Sequence, residues 1–546
     1  MNGWMKDHNG KERFVLGLQM HNSSSGTGEL MDKGIEAVRL YGGNTLETPL
    51  YWYQIEPEEG RYELGMVETV IRRVRDAGLH LILLWFGCSK NAEYGYVPDW
   101  VKADPSRFRL AIGPDGAPRV NLSPHDDAAY DADARCFARV MREIRRLDEG
   151  FGTVIAVQVE NEVGLAMKDT DRCYSRAAQR DFDLGVPQEL DGVVLEDSGT
   201  DNRGTTWYER FGRHAHEAFT SWYLARQIDR IAAAGKKEYD IPFTMNTQVG
   251  EIRQRIAGMS YASGGPCGRA LDIWMIAAPH IDLFCPDIYQ QDESGYRETC
   301  GVHARPDNAL FIPESAPMGI LSAMNCLHAV ADYGAVGICG FGAENTVDFT
   351  GRLTDAAVPV AESYRAIAAL EPLIIRYRGS GRVRAVTQEE FQPYAYVKLP
   401  QYHMTVHFEF AFGGLPAKSP PIHHGRFTSL PNDLGLPEKL GEATSRGRML
   451  YVEENEYEYY FSGIGCSLRF IRRSRPDDPN PHANQAVNEA TELGFLAVEE
   501  GHFDSEGRFQ VDFVRNGDEI SRGIAVRCGT VVRVRMNPES FSDRDW

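Results

Sequence analysis

The chain has no run of about 20 apolar residues, so no segment is expected to span a membrane. Met1 to Arg13 is polar and charged and lacks the apolar core of roughly 7–15 residues that a secretory signal needs. None of the ten cysteines pairs as C-x-x-C, which removes a zinc knuckle and a dithiol redox motif. In a large chain with no export signal they are expected to stay reduced, and the expected compartment is the cytoplasm. Positive charge is scarce: 58 Lys+Arg against 78 Asp+Glu leave a net charge of −20. Counterion release from nucleic acid needs a basic surface, so nucleic acid is excluded as a generic partner. The same imbalance disfavours an anionic membrane or polyanionic substrate and leaves a small neutral ligand, such as a sugar. There is no internal repeat, no G-x-G-x-x-G after the first strand and no His-x-His there.

At 546 residues the chain is too long for one ordinary core, and its pattern changes two thirds of the way along. The first part alternates strands and helices. Strands are expected at Phe14–Met20, Gly43–Trp52, Leu79–Trp85, Val154–Glu160, Pro242–Asn246, Ile281–Cys285, Ala309–Ile312 and Ala335–Cys339. Leu79–Trp85 is almost wholly apolar, as a strand buried on both faces must be. Helices are expected between them, among them Asp126–Leu147 and Trp207–Ala234, the latter stopped by Gly235. Eight such units predict a (β/α)8 TIM barrel over residues 1–376. The long excursions Lys90–Asn121 and Val163–Thr205 follow the third and fourth strands, where a barrel builds its binding site. Beyond Tyr377 the period becomes two, at Tyr394–Leu399, Met404–Phe410, Phe509–Phe513 and Val531–Met536. This predicts a β-sandwich-like accessory domain over 377–546. Leu415–Leu436, rich in Pro, Gly and His, reads as a loop.

Two acids stand where a barrel places reacting groups. Glu162 ends the fourth strand in Gln158-Val-Glu-Asn-Glu-Val-Gly164, and Glu314 ends the seventh in Phe311-Ile-Pro-Glu-Ser315. Strands four and seven lie nearly opposite across the mouth, so the two carboxyls can meet on one bond, as glycoside hydrolysis requires. An acid that ends a buried strand carries a desolvation penalty tolerated more often for function than for stability. Period-two alternation puts Gln158, Glu160 and Glu162 on one face, and spacing alone does not choose between the two glutamates. Around them, Gln19, His21, Asn22, Glu47 and Asn246 end strands and can hold hydroxyls. Glu344 is a third mouth carboxylate. Lys90 and Asn91 can reach in from the third loop. Trp85, Phe341 and Trp52 offer apolar faces for a sugar or simply fill core. His125, His214 and His216 are isolated, so no metal is expected.

Val159-Glu-Asn-Glu-Val-Gly164 resembles the Asn-Glu motif of glycoside hydrolase clan A, most closely the β-galactosidase families thirty-five and forty-two. Thr45-Leu-Glu-Thr-Pro-Leu-Tyr-Trp52, Gln54-Ile-Glu-Pro57 and Gly60-Arg-Tyr62 are similar to their second-strand signature. Gln19–Ser23, Leu83–Gly87, Asn121–Asp126, Ser263–Pro266, Asp272–Trp274 and Pro286–Tyr289 resemble one bacterial subgroup with a C-terminal β domain, which Leu493–Met536 also resembles. The resemblance implies a retaining exo-β-glycosidase, β-galactosidase first, with β-glucosidase, β-xylosidase, transglycosylase or a non-catalytic carbohydrate-binding barrel as alternatives. It implies Asn161 on the sugar 2-hydroxyl, Glu162 as acid/base, Glu314 as nucleophile and Tyr289 as its support. It implies no cofactor, and a homo-oligomer is common among such enzymes. Pro49, the third-strand end Trp85–Asn91 and Gly340–Glu344 depart from the family pattern at positions that shape the sugar pocket.

Overall fold

A computed structural model describes residues 6, 10–165, 170–250, 256–389, 392, 394–408, 446–472, 494–521 and 523–538. The chain divides into two compact units, Met1–Arg39, Asn44–Ala316 and Val336–Asn345 in one, the remainder in the other.

The first unit holds an eight-stranded parallel sheet. In chain order its strands are β1 (Val15–Gln19), β2 (Thr45–Tyr51) and β3 (His80–Lys90), then, after a small hairpin of β4 (Leu110–Ile112) and β5 (Pro118–Leu122), β6 (Val154–Asn161), β7 (Phe243–Gln248), β8 (Leu283–Asp287), β9 (Phe311–Ile312) and β10 (Gly337–Phe341). They pair in the order β8-β7-β6-β3-β2-β1-β10-β9. The seam between the ends is closed at the top by a parallel bridge of Ile288 with Ser315, the Ile288 N–H donating to the Glu314 carbonyl at 2.8 Å. This is the predicted TIM barrel. The strands are apolar because helices cover one face and the barrel interior the other. Val15, Ile82, Leu84, Ala156, Leu283, Cys285, Phe311 and Cys339 belong to one buried cluster. Gly17 is required there, since a Cβ would overlap the Cys339 sulfur.

Several expectations are corrected. β3 runs five residues past Trp85, to Lys90, and β9 is only two residues long. The expected Lys90–Asn121 loop contains the β4–β5 hairpin. The helix expected over Trp207–Ala234 is two pieces, Trp207–Phe211 and Ala215–Glu238, and it runs through Gly235 rather than stopping there. The break falls at Gly212, with φ +49°, where the Ser198 carbonyl leaves no room for a side chain. Gly235 is kept small by the Phe137 and Phe243 rings against it.

The second unit contains two antiparallel sheets. One has the order β11-β14-β15-β20-β17-β18, built from β11 (Val383–Thr387), β14 (Arg448–Asn455), β15 (Glu458–Ile464), β17 (Phe495–Phe503), β18 (Phe509–Arg515) and β20 (Val531–Met536). The other has the order β12-β13-β16-β19, from β12 (Tyr394–Lys398), β13 (Tyr402–His407), β16 (Cys466–Arg472) and β19 (Ile524–Val526). Met404, Val406, Leu468 and Phe470 of one sheet share a buried core with Tyr459, Phe461, Val532 and Val534 of the other, so this is the expected β domain. The helices Ile320–Tyr333 and Val358–Ala369 group with it, whereas the sequence pattern changes only at 376/377. Arg448 explains the grouping: fully buried, its guanidinium donates to Ser363 Oγ, the Pro359 carbonyl and Glu362 Oε2 at 2.7–3.0 Å. The predicted loop Leu415–Leu436, Gly414 and Leu493 lie outside the described residues. Among the described residues no helix is long and apolar enough to cross a membrane, and no disulfide joins the ten cysteines.

Candidate active site

The carboxyl ends of the barrel strands bring three acids together. One carboxylate oxygen each of Glu162, Asp287 and Glu314 lie within 4.8 Å of one another, all three residues buried. Glu162 follows β6, Asp287 ends β8 and Glu314 follows β9, so three separate elements converge.

Glu314 is held by donors. Gln19 Nε2 and Asn161 Nδ2 donate to its Oε1 at 3.0 and 3.1 Å, and the Tyr289 hydroxyl to its Oε2 at 2.8 Å. Hydrogen bonds to the charged form keep a carboxylate ionised. The Tyr289 hydroxyl is correspondingly pushed far up, by burial and then by the Glu314 charge. Asn246 links all three acids. Its Oδ1 accepts from the Glu162 backbone N–H at 2.9 Å, and its Nδ2 donates to Asp287 Oδ2 at 2.8 Å and Glu314 Oε1 at 3.3 Å.

Glu162 accepts from Gln248 Nε2 at 3.1 Å. Burial, and then the Glu314 charge, raise its carboxyl above the ordinary value. Asp287 is raised further, by burial, then Glu314 and Glu162. Lys90 is buried with its ammonium on Asn161 Oδ1 at 2.8 Å and Asn91 Oδ1 at 2.7 Å, and its charge opposes both shifts. Burial pushes two of the three acids toward their neutral forms, and amide and phenol donors point at the group, an arrangement that suits carboxyls holding protons.

The local backbone decides which glutamate enters the mouth. Glu160 and Glu162 both adopt left-handed φ, +62° and +46°, a conformation rare outside glycine and concentrated at functional sites. This breaks the alternation expected from the sequence, which had put Glu160 and Glu162 on one face. Glu160 instead accepts from the backbone N–H of Cys88 at 3.1 Å and Ser89 at 2.6 Å, beside the buried Asp133.

Gln19, Asn161, Asn246 and Tyr289 therefore stand on the acids; the sequence offers the first three as holders of sugar hydroxyls, and the resemblance implies Tyr289 as a support of Glu314. His21 and Glu344 form a neighbouring group: the His21 N–H donates to Glu344 Oε2 at 3.2 Å, His21 Nε2 meets Asn345 Nδ2 at 2.8 Å, and Phe341 sits edge-on to the imidazole at 5.0 Å. Asn22 is half-buried, with its Oδ1 enclosed. Glu47 is completely buried on the barrel axis beside Cys339; burial and then Glu314 push its carboxyl well up. Trp85 is not at the mouth. Its indole donates to Asp133 Oδ1 at 2.7 Å and packs on Phe137 of the helix Asp127–Asp148. Trp52 is core too, donating to Glu56 Oε2 at 2.9 Å. His125 and His216 each pair with an aspartate, Asp181 and Asp171, at 2.6 Å. Asp287 and Gln248 were not singled out from sequence. The only signal for them was a polar residue ending a strand, which a loop cap gives equally well.

A family described as Beta-galactosidase matches residues 20–222, and a domain of unknown function, DUF5597, matches residues 360–527. The chain is 27% identical over 190 residues to Beta-galactosidase 14 of Arabidopsis thaliana, covering 33% of this chain and 20% of that protein. It is 28% identical over 177 residues to a Beta-galactosidase of Xanthomonas manihotis, covering 30% of this chain and 27% of that one. The matched stretch thus spans 20% to 27% of the length of these relatives. Among solved structures, the β-galactosidase from Bacillus circulans sp. alkalophilus superposes with a TM-score of 0.49 at 16% identity, over 66% of this chain and 57% of that one. The catalytic domain of β-amylase from Paenibacillus polymyxa does so with a TM-score of 0.49 at 12% identity, over 64% and 98%. The barrel mouth described above thus lies in a chain whose residues 20–222 match a family described as Beta-galactosidase and whose residues 360–527 match the domain of unknown function DUF5597.

Proposed function

We propose that the protein is a retaining exo-β-glycosidase, with a terminal β-galactoside as the first candidate substrate. The observation that carries this reading is the separation of the Glu162 and Glu314 carboxyls, whose nearest oxygens lie within 4.8 Å. Inverting enzymes hold their two carboxyls about 6.5–9.5 Å apart to admit a water, and retaining ones about 5–5.5 Å. Oxygens within 4.8 Å admit the closer arrangement, and the resemblance to clan A selects it, so that the carboxylate itself attacks.

In the first step Glu314 attacks the anomeric carbon while Glu162 gives its proton to the glycosidic oxygen; the C1–O bond breaks and a glycosyl-enzyme forms. In the second, Glu162 takes a proton from water, whose oxygen displaces Glu314 from C1 and restores both groups. The environments suit these roles. Glu314 is surrounded by donors that favour its charge, and Glu162 is buried with its carboxyl raised, a division of environment that separates nucleophile from acid. Asn161 touches Glu314 Oε1 and Lys90, which leaves it in reach of the hydroxyl next to C1. The net charge of −20 fits a neutral sugar.

A panel of aryl β-D-galactosides, glucosides and xylosides tests the activity and its preference. Turnover of none of them would overturn the reading. Glu162→Ala should keep glycosylation by activated aryl glycosides and recover turnover with azide, giving the β-glycosyl azide. An α-azide, or no rescue, would remove Glu162 from the acid/base role.

A further inference from the structure

Asp287 is 3% exposed and ends β8 between the two acids. Its Oδ2 accepts from Asn246 Nδ2 at 2.8 Å, while its Oδ1 is enclosed with no amide or hydroxyl donor from the protein. One oxygen each of the Asp287 and Glu162 carboxyls lies within 4.8 Å of the other in a buried site. Two carboxyls can face each other this closely as partners only if one carries a proton, and a bond between them gives Asp287 Oδ1 the partner it otherwise lacks. Charged groups face Asp287 from every side: Glu162 after β6, Glu314 after β9 and the Lys90 ammonium at the end of β3, with the Tyr289 phenol and Cys285 thiol on its own element. One cation beside three buried acids leaves no room for a third negative charge.

We propose that Asp287 is a positioning residue of the acid–base centre: a neutral carboxylic acid whose O–H donates to Glu162 and steadies the Glu162 carboxylate between its two proton transfers. The inference rests on the glycosidase reading above. Asp287 keeps its own proton throughout. When Glu162 has passed its proton to the leaving oxygen, the Asp287 O–H holds the resulting carboxylate toward C1 until it takes a proton from water. Burial, then Glu314 and then Glu162, drive Asp287 toward this neutral form, and the bond between the two acids works in opposite directions, raising Asp287 and lowering Glu162.

The test is the pH profile of kcat/KM on an activated aryl β-glycoside for the full-length wild type, Asp287→Asn and Asp287→Ala. Loss of the donor in Asp287→Ala should move the alkaline limb upward by about one pH unit, a tenfold change in the acid's dissociation constant. Asp287→Asn presents an amide N–H in place of the acid O–H and should bring the limb back to within a few tenths of wild type. A downward shift in Asp287→Asn would mean that a negative charge had been removed, and would overturn the proposal. Equal shifts in both variants, or none in either, would do the same by showing a purely structural role. If Asp287→Ala does not fold, Asp287→Leu, of similar shape and without a donor, takes its place in the comparison with Asp287→Asn. Failure of the glycosidase reading itself looks different, because the wild type would then turn over no glycoside and Glu162→Ala would show no azide rescue.

Discussion

Two glutamates separated by one residue on the same strand end meet opposite fates, and the contrast shows what makes a carboxyl reactive. Both Glu160 and Glu162 are buried, left-handed in φ and raised by desolvation. Glu162 faces the barrel mouth, where its partners are a side-chain amide, a second acid and Glu314 across the gap. Glu160 faces the surrounding helices, where it and Asp133 are bound by fixed groups: the N–H of Cys88 and Ser89 and the Trp85 indole. Glu160 and Asp133 both accept from the Cys88 N–H, which ties the end of β3 to the end of β6, and so to Asn161 and Glu162. Burial alone does not separate a reactive acid from a clasp. The difference is whether the space in front of the carboxyl is left for a substrate.

The largest effect should come from the mouth. Glu314→Gln keeps the shape and its hydrogen bonds but removes the nucleophile, and kcat should fall by about four orders of magnitude or more, since removing a covalent nucleophile costs on that scale. Glu160→Gln should leave kcat within about tenfold, because its carboxyl touches no reacting atom. Assays of both on one aryl glycoside check the pair. Comparable losses would erase the distinction drawn between the two positions.

Much of this was legible in the sequence. The eight apolar strands, the acids ending the fourth and seventh, and the placing of Gln19 and Asn246 at strand ends follow from strand periodicity and from the rule that a barrel reacts at its carboxyl end, whereas Tyr289 came from the resemblance to clan A. The choice between Glu160 and Glu162 was not legible, because two successive departures into left-handed φ reverse the facing that alternation predicts. Trp85 looked like a platform for sugar because an indole at a strand end faces in or out with equal ease in a strand buried on both sides. Asp133, whose carboxyl binds that indole, lies 48 positions away on a helix. Asp287 gave no signal of its own, since its character depends on two other acids brought close only by the closed sheet.

The clasp has a steric demand that can be broken by one methyl group. A Cβ at Gly87 would overlap the Asp133 carboxyl and crowd Trp85 Nε1 and Glu160 Oε1, so Gly87→Ala should lose most of the folded protein, read as soluble yield and circular dichroism. Wild-type yield would show that the β3 end shifts freely and the clasp is slack. Asp133→Ala is milder. It leaves the Trp85 indole N–H without its acceptor in a fully buried site and the Cys88 N–H with Glu160 alone, and an unsatisfied buried donor costs about 1–3 kcal/mol. Urea denaturation followed by tryptophan fluorescence should show a loss of that order, with Asp133→Asn less affected because its amide oxygen can still accept.

The smallest effect is also the one that isolates the shared proton. Burial and then the neighbouring Asp133 raise Glu160 well above its ordinary value, and burial raises Asp133. Unfolded carboxyls of these types titrate near about 3.9–4.3. Between that value and the raised folded one, the native pair retains a proton that the unfolded chain has released. The native state then binds more protons than the unfolded one, so stability falls as pH rises. The contribution of the pair is complete below about pH 4 and is lost as pH climbs through the folded value. Glu160→Gln removes this titration while its amide oxygen can still accept from the Ser89 N–H. Its Tm measured against wild type should therefore improve from pH 5 to pH 8. A gap between the two proteins that stays constant over that range would mean that Glu160 and Asp133 share no proton in the folded state, and that the clasp is held by the backbone N–H groups alone.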